Sequence, residues 1–442
     1  MSTPQNITTP LDTRAATTEG RRLRILLSCY SCGPDRGSEP GVGWNAALAL
    51  AEHHDVHVIT TSEFQKAIEA RIQAGDLPEG LFFHFFEIPG GKWVWRHPSG
   101  LAIRLHYTLW QRMASANVRK LHREHHFDSA QHLTFVRYWS PSCLVDSGIP
   151  YILGPVGGAE YTPPQFLRSY SFKGKVFEAI RNMARRLGEM SPSVRKTLRN
   201  AKLVLATTHL TAERCVKLGV APSKVIVCGE SALSAPEFER LAKMKKPSPP
   251  LCFFGLGRLV PLKGYDLALR AYAKAAIPAS RFLLIGGGPE EGRLKTLAKT
   301  LGIADRLEIT GFVPRDQALA LLAQTHVMVH PSHHDSGGWA CIEAMAAGKP
   351  VVCLDWGGPS TQVTDESGCK IPVGQEGDVV DQMAMVLASF EGSDVLQTKS
   401  AEAKRRVSEN FLWFRKAEFY SRLHLGVYGS LQEAALRQGG AT

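Results

Sequence analysis

The chain has 442 residues, of which 44% are hydrophobic and 21% charged, and its formal net charge is +11. This length exceeds that of one ordinary domain and predicts two, and the apolar content excludes a disordered chain, a collagen and a disulfide-rich mini-protein. From Arg168 to Lys202 there are ten basic and two acidic residues, a local excess that favours an anionic surface or substrate as a partner.

The N-terminal segment and the cysteines bear on the location of the protein. Residues 1–22 are rich in Thr, Ser and Pro and contain no apolar export signal, so we expect a disordered tail there. No stretch is long and apolar enough to predict a transmembrane helix. The nine cysteines are scattered and odd in number, as expected of reduced thiols. The sequence therefore predicts a cytoplasmic protein.

The first half of the chain alternates strand and helix patterns. Residues 24–30 form an apolar run that ends in a glycine-rich turn from Gly37 to Gly43, and a helical pattern follows over residues 44–52. Further runs typical of strands occur at residues 56–60, 81–88, 151–153, 203–207 and 225–227. This alternation predicts a parallel sheet covered on both faces, within a first domain at residues 23–242.

A charged, proline-rich segment at residues 243–250 predicts a linker. A second series of strand patterns follows at residues 251–255, 282–285, 307–310, 327–330 and 351–354. We assign residues 251–403 to a second domain of the same α/β, doubly wound class. Residues 404–442 are predicted to form a helix over residues 404–431, crossing back over both domains, and a short tail. Ligands of such folds bind at the carboxyl ends of the strands.

The loop after the first strand of the second series carries two cations. In GLGRLVPLKG, residues 255–264, Arg258 and Lys263 lie five residues apart beside glycine backbone. Such a loop can bind a diphosphate, because Arg offers a bidentate fork and Lys a compact charge that together stabilise a departing phosphate. Two solvated surface cations are the alternative interpretation.

Two further loops of this half contain glycines and carboxylates. Gly287 lies in a triple-glycine turn after the second strand, where backbone turns or approaches a ligand. After the fourth strand, Asp335 precedes the pair Gly337 and Gly338, and Glu343 falls within the following helix. The free amides of a helix N-terminus form an anion site, and the two carboxylates can accept hydrogen bonds from sugar or ribose hydroxyls.

Over residues 250–375 these segments resemble one known family. The strings GLGRLVPLKG, LLIGGGPEEGRLKTLA, LEITGFVPRDQALALLAQTHVMVHPS and DSGGWACIEAMAAGKPVV are similar to the donor-binding domain of glycosyltransferase family 4, whose members are retaining enzymes of the GT-B fold. The resemblance implies two Rossmann-like domains that face each other across a cleft. It also implies that the C-terminal domain binds a nucleotide-sugar and the N-terminal domain binds the acceptor.

The resemblance assigns roles to the residues on the donor side. Asp335 would contact the hydroxyls of the donor sugar, and Glu343 would contact the ribose of the nucleotide. Arg258 and Lys263 match the pair that binds the diphosphate. The remaining contacts would come from backbone: around Phe312 and Val313 for the nucleobase, and at the amides of Gly337, Gly338 and Trp339 for the phosphates.

The N-terminal half resembles the family more loosely. The loop that contains Gly37 and Gly41 is similar to the family's glycine-rich first turn, and His132 is similar to a strand-end histidine that faces the donor sugar. A single histidine can equally be a hydrogen-bonded structural residue. Glu39 could face the acceptor hydroxyl, or it could cap the following helix.

Three positions depart from the family's pattern. Asp335 stands where glutamate is usual, Ser38 and Glu39 stand where a second glycine is common, and Thr361 stands where an acid is frequent. Aspartate is one methylene shorter than glutamate, so the donor sugar can be seated differently. These departures retain the diphosphate-binding residues but leave the identity of the sugar open.

Two clusters of potential metal ligands occur in the sequence. Cys29 and Cys32 have CxxC spacing, but no second CxxC pair accompanies them. The histidines of residues 330–334 offer further ligands, yet a donor site resembling this family's neutralises the diphosphate with Arg and Lys. We therefore predict neither a divalent metal nor another cofactor.

The basic segment contains the pattern of an amphipathic helix. Apolar residues recur at helical spacing: Val176, Phe177, Ile180, Met183, Ala184 and Leu187. Basic residues share the same turns: Lys175, Arg181, Arg185 and Arg186. One interpretation is a helix whose apolar stripe packs on the core. Our hypothesis is a peripheral contact with the anionic inner face of a membrane, and base-stacking aromatics are not interleaved with these charges, which argues against nucleic acid.

Together with the resemblance, these features predict a metal-independent, retaining glycosyltransferase of the hexosyltransferase type. It would move a sugar from a UDP- or GDP-linked donor to a glycan or lipid-linked acceptor in envelope or exopolysaccharide biosynthesis. Two alternatives remain open. One is another enzyme on this fold, such as a sugar-nucleotide epimerase or a sucrose-type synthase, and the other is a non-catalytic nucleotide-binding module.

Overall fold

The computed structural model describes residues 21–96, 100–245 and 247–439. It divides into two compact units. Unit 1 comprises Met1–Ala159, Ala184–Glu230 and Trp413–Thr442, and unit 2 comprises Glu160–Met183 and Ser231–Leu412. Residues 1–20, which make up nearly all of the predicted tail, lie outside the described residues.

Six strands of unit 1 follow the predicted apolar runs, and the fourth strand of this unit was not among the predictions. The strands are β1 (Arg24–Ser28), β2 (Asp55–Thr60), β3 (Leu81–Phe85), β4 (Ser129–His132), β5 (Tyr151–Val156), β6 (Leu203–Ala206) and β7 (Val225–Val227). Within the described residues these seven strands form one parallel sheet in the order β3-β2-β1-β4-β5-β6-β7. Every residue of β5 is buried, which is typical of a central parallel strand that is covered on both faces.

Unit 2 contains a second parallel sheet. Its strands are β8 (Cys252–Leu256), β9 (Arg281–Ile285), β10 (Leu307–Ile309), β11 (Val327–His330), β12 (Val351–Leu354) and β13 (Gly368–Ile371). In the part of the chain that the structure describes, these six strands have the order β10-β9-β8-β11-β12-β13. The order reverses between β8 and β11, and such a switch point is where ligands of doubly wound sheets bind.

Helices connect the strands of both sheets. Those in the described ranges are α1 (Ser38–Ala51), α2 (Gln65–Gln73), α3 (Trp93–Arg96), α4 (Gly100–His125), α5 (Phe172–Met190), α6 (Pro192–Asn200), α7 (His209–Lys217), α8 (Ala235–Ala242), α9 (Tyr265–Ala275), α10 (Glu291–Thr300), α11 (Arg315–Leu322), α12 (Trp339–Ala346), α13 (Gly357–Gln362), α14 (Glu376–Ser389), α15 (Ser393–Asn410) and α16 (Trp413–Gly439). The two sheets with their helices confirm the predicted α/β class. None of the described helices is both long and apolar enough to span a membrane.

The division into units differs from the predicted domains, which were residues 23–242, a linker at 243–250, and residues 251–403. The structure assigns two segments of the predicted first domain, Glu160–Met183 and 231–242, to unit 2. The predicted linker therefore falls within the range of unit 2. This proline-rich segment lies just before β8. It does not mark the border between the two units.

Side-chain contacts explain why these two segments belong to unit 2. The ring of Phe166 stacks on that of His333 with 4.5 Å between their centroids. The indole of Trp356 donates a hydrogen bond of 3.1 Å to the carbonyl of Tyr161. The hydroxyl of Ser231 donates one of 2.9 Å to a carbonyl in the loop before α12. Since the partners are far apart in the chain, local composition does not reveal these contacts.

The structure has two helices, α15 and α16, where the sequence predicted a single helix over residues 404–431. Between α15 and α16, Leu412 forms a β-bridge with Leu233. Helix α16 belongs to unit 1, where the ring of His424 lies 2.9 Å from the hydroxyl of Ser129 in β4. The predicted return of the last helix to the first domain is therefore confirmed for α16.

Helix α1 begins at Ser38 and not at residue 44, so the predicted glycine-rich loop forms the first turns of a helix. Gly41 is required there. A Cβ at this position would lie well inside van der Waals contact with the carbonyl oxygen of Arg36. Gly41 therefore permits a close approach between the first turns of α1 and the backbone just before the helix.

Candidate functional site

Two loops of unit 2 meet at the carboxyl ends of the neighbouring strands β8 and β11. The loop after β8 carries Lys263, and the loop after β11 carries Asp335. The ammonium of Lys263 donates a hydrogen bond of 2.6 Å to Oδ2 of Asp335. The two residues are 72 positions apart in the chain, and the parallel arrangement of the strands brings them together.

Backbone hydrogen bonds fix these two loops to each other. The amide of His333 donates to the carbonyl of Leu262 at 2.8 Å, and the hydroxyl of Ser332 donates to the same oxygen at 3.1 Å. Gly264 allows this approach for two reasons. Its φ of 65° is a conformation that favours glycine, and a Cβ would collide with the carbonyl oxygen of Pro331. The ion pair is therefore held by the backbone of both loops and not only by its own side chains.

The carboxylate of Asp335 has three hydrogen-bond donors. Besides Lys263, the ring of His330 lies 3.2 Å from Oδ2, and the amide of Gly338 donates to Oδ1 at 3.2 Å. Burial alone would raise the pKa of Asp335, but the Lys263 ammonium and the His330 hydrogen bond hold that pKa well below its ordinary value. Burial and the Lys263 charge lower the pKa of His330. The site therefore pairs an ionised carboxylate with a neutral imidazole.

The N-terminus of α12 lies beside this carboxylate. Gly338 precedes the helix with a φ of 54°, and the carbonyl of Gly337 accepts a hydrogen bond of 2.6 Å from the side chain of Gln362. Helix α12 begins at Trp339, and the amide of Cys341 donates to the carbonyl of Gly338 at 2.9 Å. The amides of Trp339 and Ala340 precede this bond and have no carbonyl partner within the helix. The partial positive charge of this helix end and the ammonium of Lys263 together suit an anion.

Glu343 lies within α12 and contacts a cation that sequence reasoning missed. Its Oε1 is 2.6 Å from the guanidinium of Arg315 at the start of α11, and Arg315 also pairs with Glu237. Burial raises the pKa of Glu343, although Arg315 opposes that shift. The sequence did contain a signal for Arg315. In the string FVPRDQ it directly follows the turn that was predicted to meet the nucleobase.

The other predicted donor-side residues lie on the loops after β8, β9 and β10. Arg258 is exposed. The amide of Leu259 beside it donates to the carbonyl of Gly287 at 3.0 Å. A Cβ on Gly287 would lie 2.9 Å from the amide nitrogen of Phe312. Phe312 is 92% exposed, whereas Val313 is partly buried. The structure therefore brings these three loops together.

In unit 1, three predicted residues lie at the start of α1. Gly37 precedes this helix, and Glu39 and Gly41 lie in its first turns. The carboxylate of Glu39 accepts a hydrogen bond of 2.9 Å from the amide of Phe135. Burial raises the pKa of Glu39. This bond ties α1 to the chain that follows β4, a contact that neither predicted role of Glu39 includes.

His132 ends β4 with its ring buried in unit 1. Nδ1 lies 2.8 Å from the hydroxyl of Ser142, and Nε2 lies 3.3 Å from the side-chain nitrogen of Gln111 and 3.4 Å from the hydroxyl of Tyr107. Burial lowers the pKa of His132 to about 3, so the ring is neutral. These contacts match the structural interpretation of this residue, and contact with a donor sugar stays a prediction.

A polar network in unit 1 was not predicted at all. The carboxylate of Glu87, after β3, accepts hydrogen bonds from the hydroxyl of Ser62 at 2.7 Å and the indole of Trp95 at 2.8 Å. The ring of His106 joins Glu87 at 2.8 Å to the hydroxyl of Tyr30 at 2.9 Å. Burial would raise the pKa of Glu87, but these hydrogen bonds lower it to about 2. Its members come from separate elements, so no local sequence pattern marks the network.

The CxxC pair does not have the chemistry of a metal site. Cys29 and Cys32 are buried, and burial raises the pKa of both thiols, which disfavours the thiolate form that binds metals. Three histidines of unit 1 do have the spacing of metal ligands. They are His57, His84 and His125, and one potential ligand atom from each lies within 4.8 Å of the others.

Comparison with known proteins shows a similarity to one family. Residues 237–403 match the family model described as glycosyl transferases group 1. A putative colanic acid biosynthesis glycosyltransferase, WcaL of Salmonella typhimurium, is 28% identical over 346 residues, which cover 72% of this chain and 82% of WcaL.

Solved structures share the fold at lower identity. A glycosyltransferase from Rickettsia africae matches with a TM-score of 0.59 at 13% identity, covering 92% of this chain and 98% of that one. Anabaena HepE in complex with UDP matches with a TM-score of 0.54 at 16% identity, covering 94% of this chain and all of the other. The two parallel sheets and these matches together indicate a glycosyltransferase with the GT-B fold, in which residues 237–403 resemble the glycosyl transferases group 1 family.

Proposed function

We propose that this glycosyltransferase moves a sugar from a nucleoside diphosphate donor to a glycan or lipid-linked acceptor in the biosynthesis of an envelope or exported polysaccharide. The named relatives support this proposal. WcaL is named for colanic acid biosynthesis, and HepE was solved with UDP. Transfer to a polysaccharide is therefore favoured over the synthase and epimerase alternatives.

The observation that carries the proposal is the ion pair of Lys263 and Asp335 beside the N-terminus of α12. A diphosphate in this position would meet the Lys263 ammonium, the first amides of α12 and the exposed guanidinium of Arg258. These positive groups would stabilise the charge that develops on the departing nucleoside diphosphate. The chain's own cations supply that charge, so we propose a donor site that needs no metal ion.

The proposed transfer retains the configuration of the anomeric carbon. The bond between that carbon and the diphosphate oxygen breaks, and the acceptor oxygen bonds to the same carbon from the same face. The proton of the acceptor hydroxyl passes to the departing phosphate, which itself serves as the base. The protein's part is to hold the reactants and to stabilise the leaving group.

Asp335 has capacity for one more hydrogen-bond donor. An ionised carboxylate offers about four acceptor sites, and Lys263, His330 and Gly338 use three of them. We propose that a hydroxyl of the donor sugar takes the fourth. Glu343 would accept hydrogen bonds from the ribose of the nucleotide.

The acceptor is proposed to bind unit 1. Glu39 is the candidate for contacting its hydroxyl, since the hydrogen bond from Phe135 uses only Oε2 of that carboxylate. Both ring nitrogens of His132 are within hydrogen-bonding distance of neighbouring side chains. We therefore propose that His132 positions the end of β4 and does not bind the sugar itself.

Calorimetric titration with UDP, GDP and ADP, each in EDTA, tests the donor site. We expect one nucleotide to bind, with an affinity that falls at least about tenfold in Lys263→Ala and in Arg258→Ala, because each removes a cation from the diphosphate. Lys295→Ala removes an exposed lysine of α10 and is the matched control, which should bind like the parent. Binding of none of the three nucleotides to folded protein would contradict the proposal.

Helix α5 is proposed to contact an anionic membrane on its cytoplasmic face. Phe172 is 80% exposed, Ile180 63% and Met190 68%. The other exposed apolar residues of the helix are Val176, Phe177, Met183 and Leu187. These exposures contradict the interpretation in which the stripe packs on the core. The two acidic residues of the basic segment, Glu178 and Glu189, are both buried, so the charge that this segment exposes is basic.

Sedimentation with phosphatidylcholine vesicles, with and without phosphatidylglycerol, tests the membrane contact. We expect binding that requires the anionic lipid and is lost when Lys175→Glu and Arg186→Glu are combined. The matched control combines Lys295→Glu and Lys299→Glu on α10, which carries the same change of charge elsewhere. Equal sedimentation of the two double variants would overturn the membrane proposal without affecting the donor site.

A further inference from the structure

Three histidines converge at one edge of the unit 1 sheet. His57 lies in β2, His84 lies in the neighbouring edge strand β3, and His125 is the last residue of α4. One potential ligand atom from each lies within 4.8 Å of the others, and Nδ1 of His57 is 2.9 Å from Nε2 of His84. His57 is buried, and the other two are partly exposed. The cluster is therefore both compact and open to small solutes.

The register of the sheet explains how two of these rings meet. In the parallel pairing of β2 and β3, His57 lies opposite Phe82 and Ile59 lies opposite His84. His57 and His84 are thus diagonal neighbours on one face of the sheet. The rings are stacked with 5.1 Å between centroids. The third ring, His125, lies 4.5 Å from His57 and 5.5 Å from His84, again between centroids.

The surroundings of the cluster suit a cation. His125 is at the C-terminal end of α4, where the helix dipole carries partial negative charge. The rings of Phe82 and Phe127 pack against His57 at 4.7 Å and 5.0 Å between centroids. Such apolar neighbours restrict solvent around a metal site and hold the ligand rings in place.

The donor set points to one class of ion. Imidazole nitrogen is a preferred ligand of Zn²⁺ and related transition metals, and three histidines with one open position are a known zinc arrangement. Zinc–nitrogen bonds of about 2.0–2.1 Å in tetrahedral geometry place two ligand nitrogens about 3.4 Å apart. The separations here begin at 2.9 Å and stay within 4.8 Å, so small rotations of the rings bring all three to that spacing.

We propose that His57, His84 and His125 form a binding site for one divalent transition-metal ion of the zinc type. The ion would link β2 and β3 to the end of α4 within unit 1. The site is separate from the donor loops, which lie in unit 2, and does not depend on the proposed function. It also differs from the two clusters for which the sequence predicted no metal.

Titration of the chelator-treated full chain with Zn²⁺ alone tests the site. We expect one high-affinity Zn²⁺ per chain, a higher Tm in its presence, and no comparable effect of Mg²⁺, which prefers oxygen ligands. His84→Gln and His125→Gln should each weaken Zn²⁺ binding at least about tenfold, since loss of even an indirect partner of a metal ligand costs 10–100-fold. His126→Asn changes the exposed histidine next to the cluster and should bind Zn²⁺ like the parent.

Two outcomes would overturn the proposal. One is the failure of the folded parent to bind Zn²⁺. The other is unchanged Zn²⁺ affinity in the double variant His84→Gln/His125→Gln, which would mean adventitious binding at other histidines or at cysteines. X-ray absorption at the zinc edge separates these sites independently, because only nitrogen and oxygen neighbours are expected here, and sulfur neighbours would contradict the assignment.

Discussion

The two units use the carboxyl ends of their strands in opposite ways. In unit 2, the loops after β8 and β11 bring Lys263 and Asp335 into an ion pair beside a helix N-terminus, with Arg258 exposed nearby in sequence. In unit 1, the end of β4 carries His132, which is buried and neutral and contacts other side chains through both ring nitrogens. The strand ends of unit 2 therefore present fixed charges, whereas the end of β4 in unit 1 is held by hydrogen bonds in the core.

The difference follows from what the proposed ligands require. A nucleoside diphosphate carries charge that fixed cations and oriented amides must balance. An uncharged acceptor hydroxyl makes no such demand, so its site can be built from scattered polar groups. This accounts for the dense string of charged and glycine residues in unit 2 and for the weaker pattern in unit 1.

The largest expected effect is on catalysis in unit 2. Lys263→Ala should lower kcat/KM by about 100–1000-fold, because it removes a preorganised charge at the leaving group. Lys263→Arg keeps the charge and should recover part of the activity. Steady-state transfer measures both activities, with donors that carry the nucleotide selected by calorimetry. A Lys263→Ala variant with the parent's kcat/KM would break the comparison.

A large effect on stability is expected in acid, and chiefly in unit 1. Burial lowers the pKa of His132 and His424 to about 3 and that of His54 to about 4. In unit 2, burial lowers the pKa of His333 to about 4. An unfolded histidine titrates near pH 6.5, so the unfolded chain takes up protons that the folded chain does not. Stability is therefore full above about pH 6.5 and falls as the pH decreases toward about 3–4.

Unit 1 should lose of the order of 1 kcal/mol per buried histidine between about pH 7 and pH 5. Urea unfolding at the two pH values measures the loss, and hydrogen-exchange mass spectrometry assigns each transition to a unit. Equal or greater destabilisation of unit 2 would count against the contrast between the two sheets.

A moderate effect separates the two readings of His132. His132→Ala should lower the free energy of unfolding by about 2–3 kcal/mol, because it opens a cavity and removes the hydrogen bonds of the ring to the Ser142 hydroxyl and the Gln111 side-chain nitrogen. Under conditions where the variant is folded, kcat should change less than about threefold. Denaturant unfolding and initial rates measure the two quantities. A loss of kcat as large as that of Lys263→Ala, with unchanged stability, would assign His132 to the chemistry.

The smallest effect concerns the glycines at the start of α1. Gly41→Ala should cost about 1–2 kcal/mol of unfolding free energy, because the added Cβ collides with the carbonyl of Arg36. Gly37→Ala is the matched control. A Cβ there meets no atom within 4 Å, so the change should cost only about 0.5–1 kcal/mol, the preference of an N-cap for Gly over Ala. Equal losses of unfolding free energy in the two variants would contradict the proposed collision between a Cβ at residue 41 and the carbonyl of Arg36.

Sequence reasoning worked where a local pattern has one physical meaning. Apolar runs predicted both sheets apart from the strands β4 and β13. The cations after β8 and the carboxylate and glycines after β11 predicted two ligand-binding loops in unit 2. That Lys263 and Asp335 touch could be expected only from the adjacency of their strands, which short apolar runs do not specify. The hydrogen bond itself was therefore found in the structure.

The misses share a different cause, which is contact between distant parts of the chain. Arg315 pairs with Glu343 from a separate helix, and Phe166 stacks on His333 from a segment assigned to the other domain. The three histidines at the edge of unit 1 meet only through strand register and the end of α4. Composition and spacing carry no information on such pairings.

Helix α16 completes unit 1 although it follows every segment of unit 2 in the chain. Ser421 lies 2.7 Å from the ring of His54, and His424 lies 2.9 Å from the hydroxyl of Ser129, so the partners of α16 precede unit 2 in the chain. During translation the sheet of unit 1 therefore lacks α16 until all of unit 2 has been synthesised. The surface that this helix covers is exposed to solvent during that time. The order of residues alone therefore lets unit 2 finish folding first and makes the folding of unit 1 dependent on the synthesis of α16.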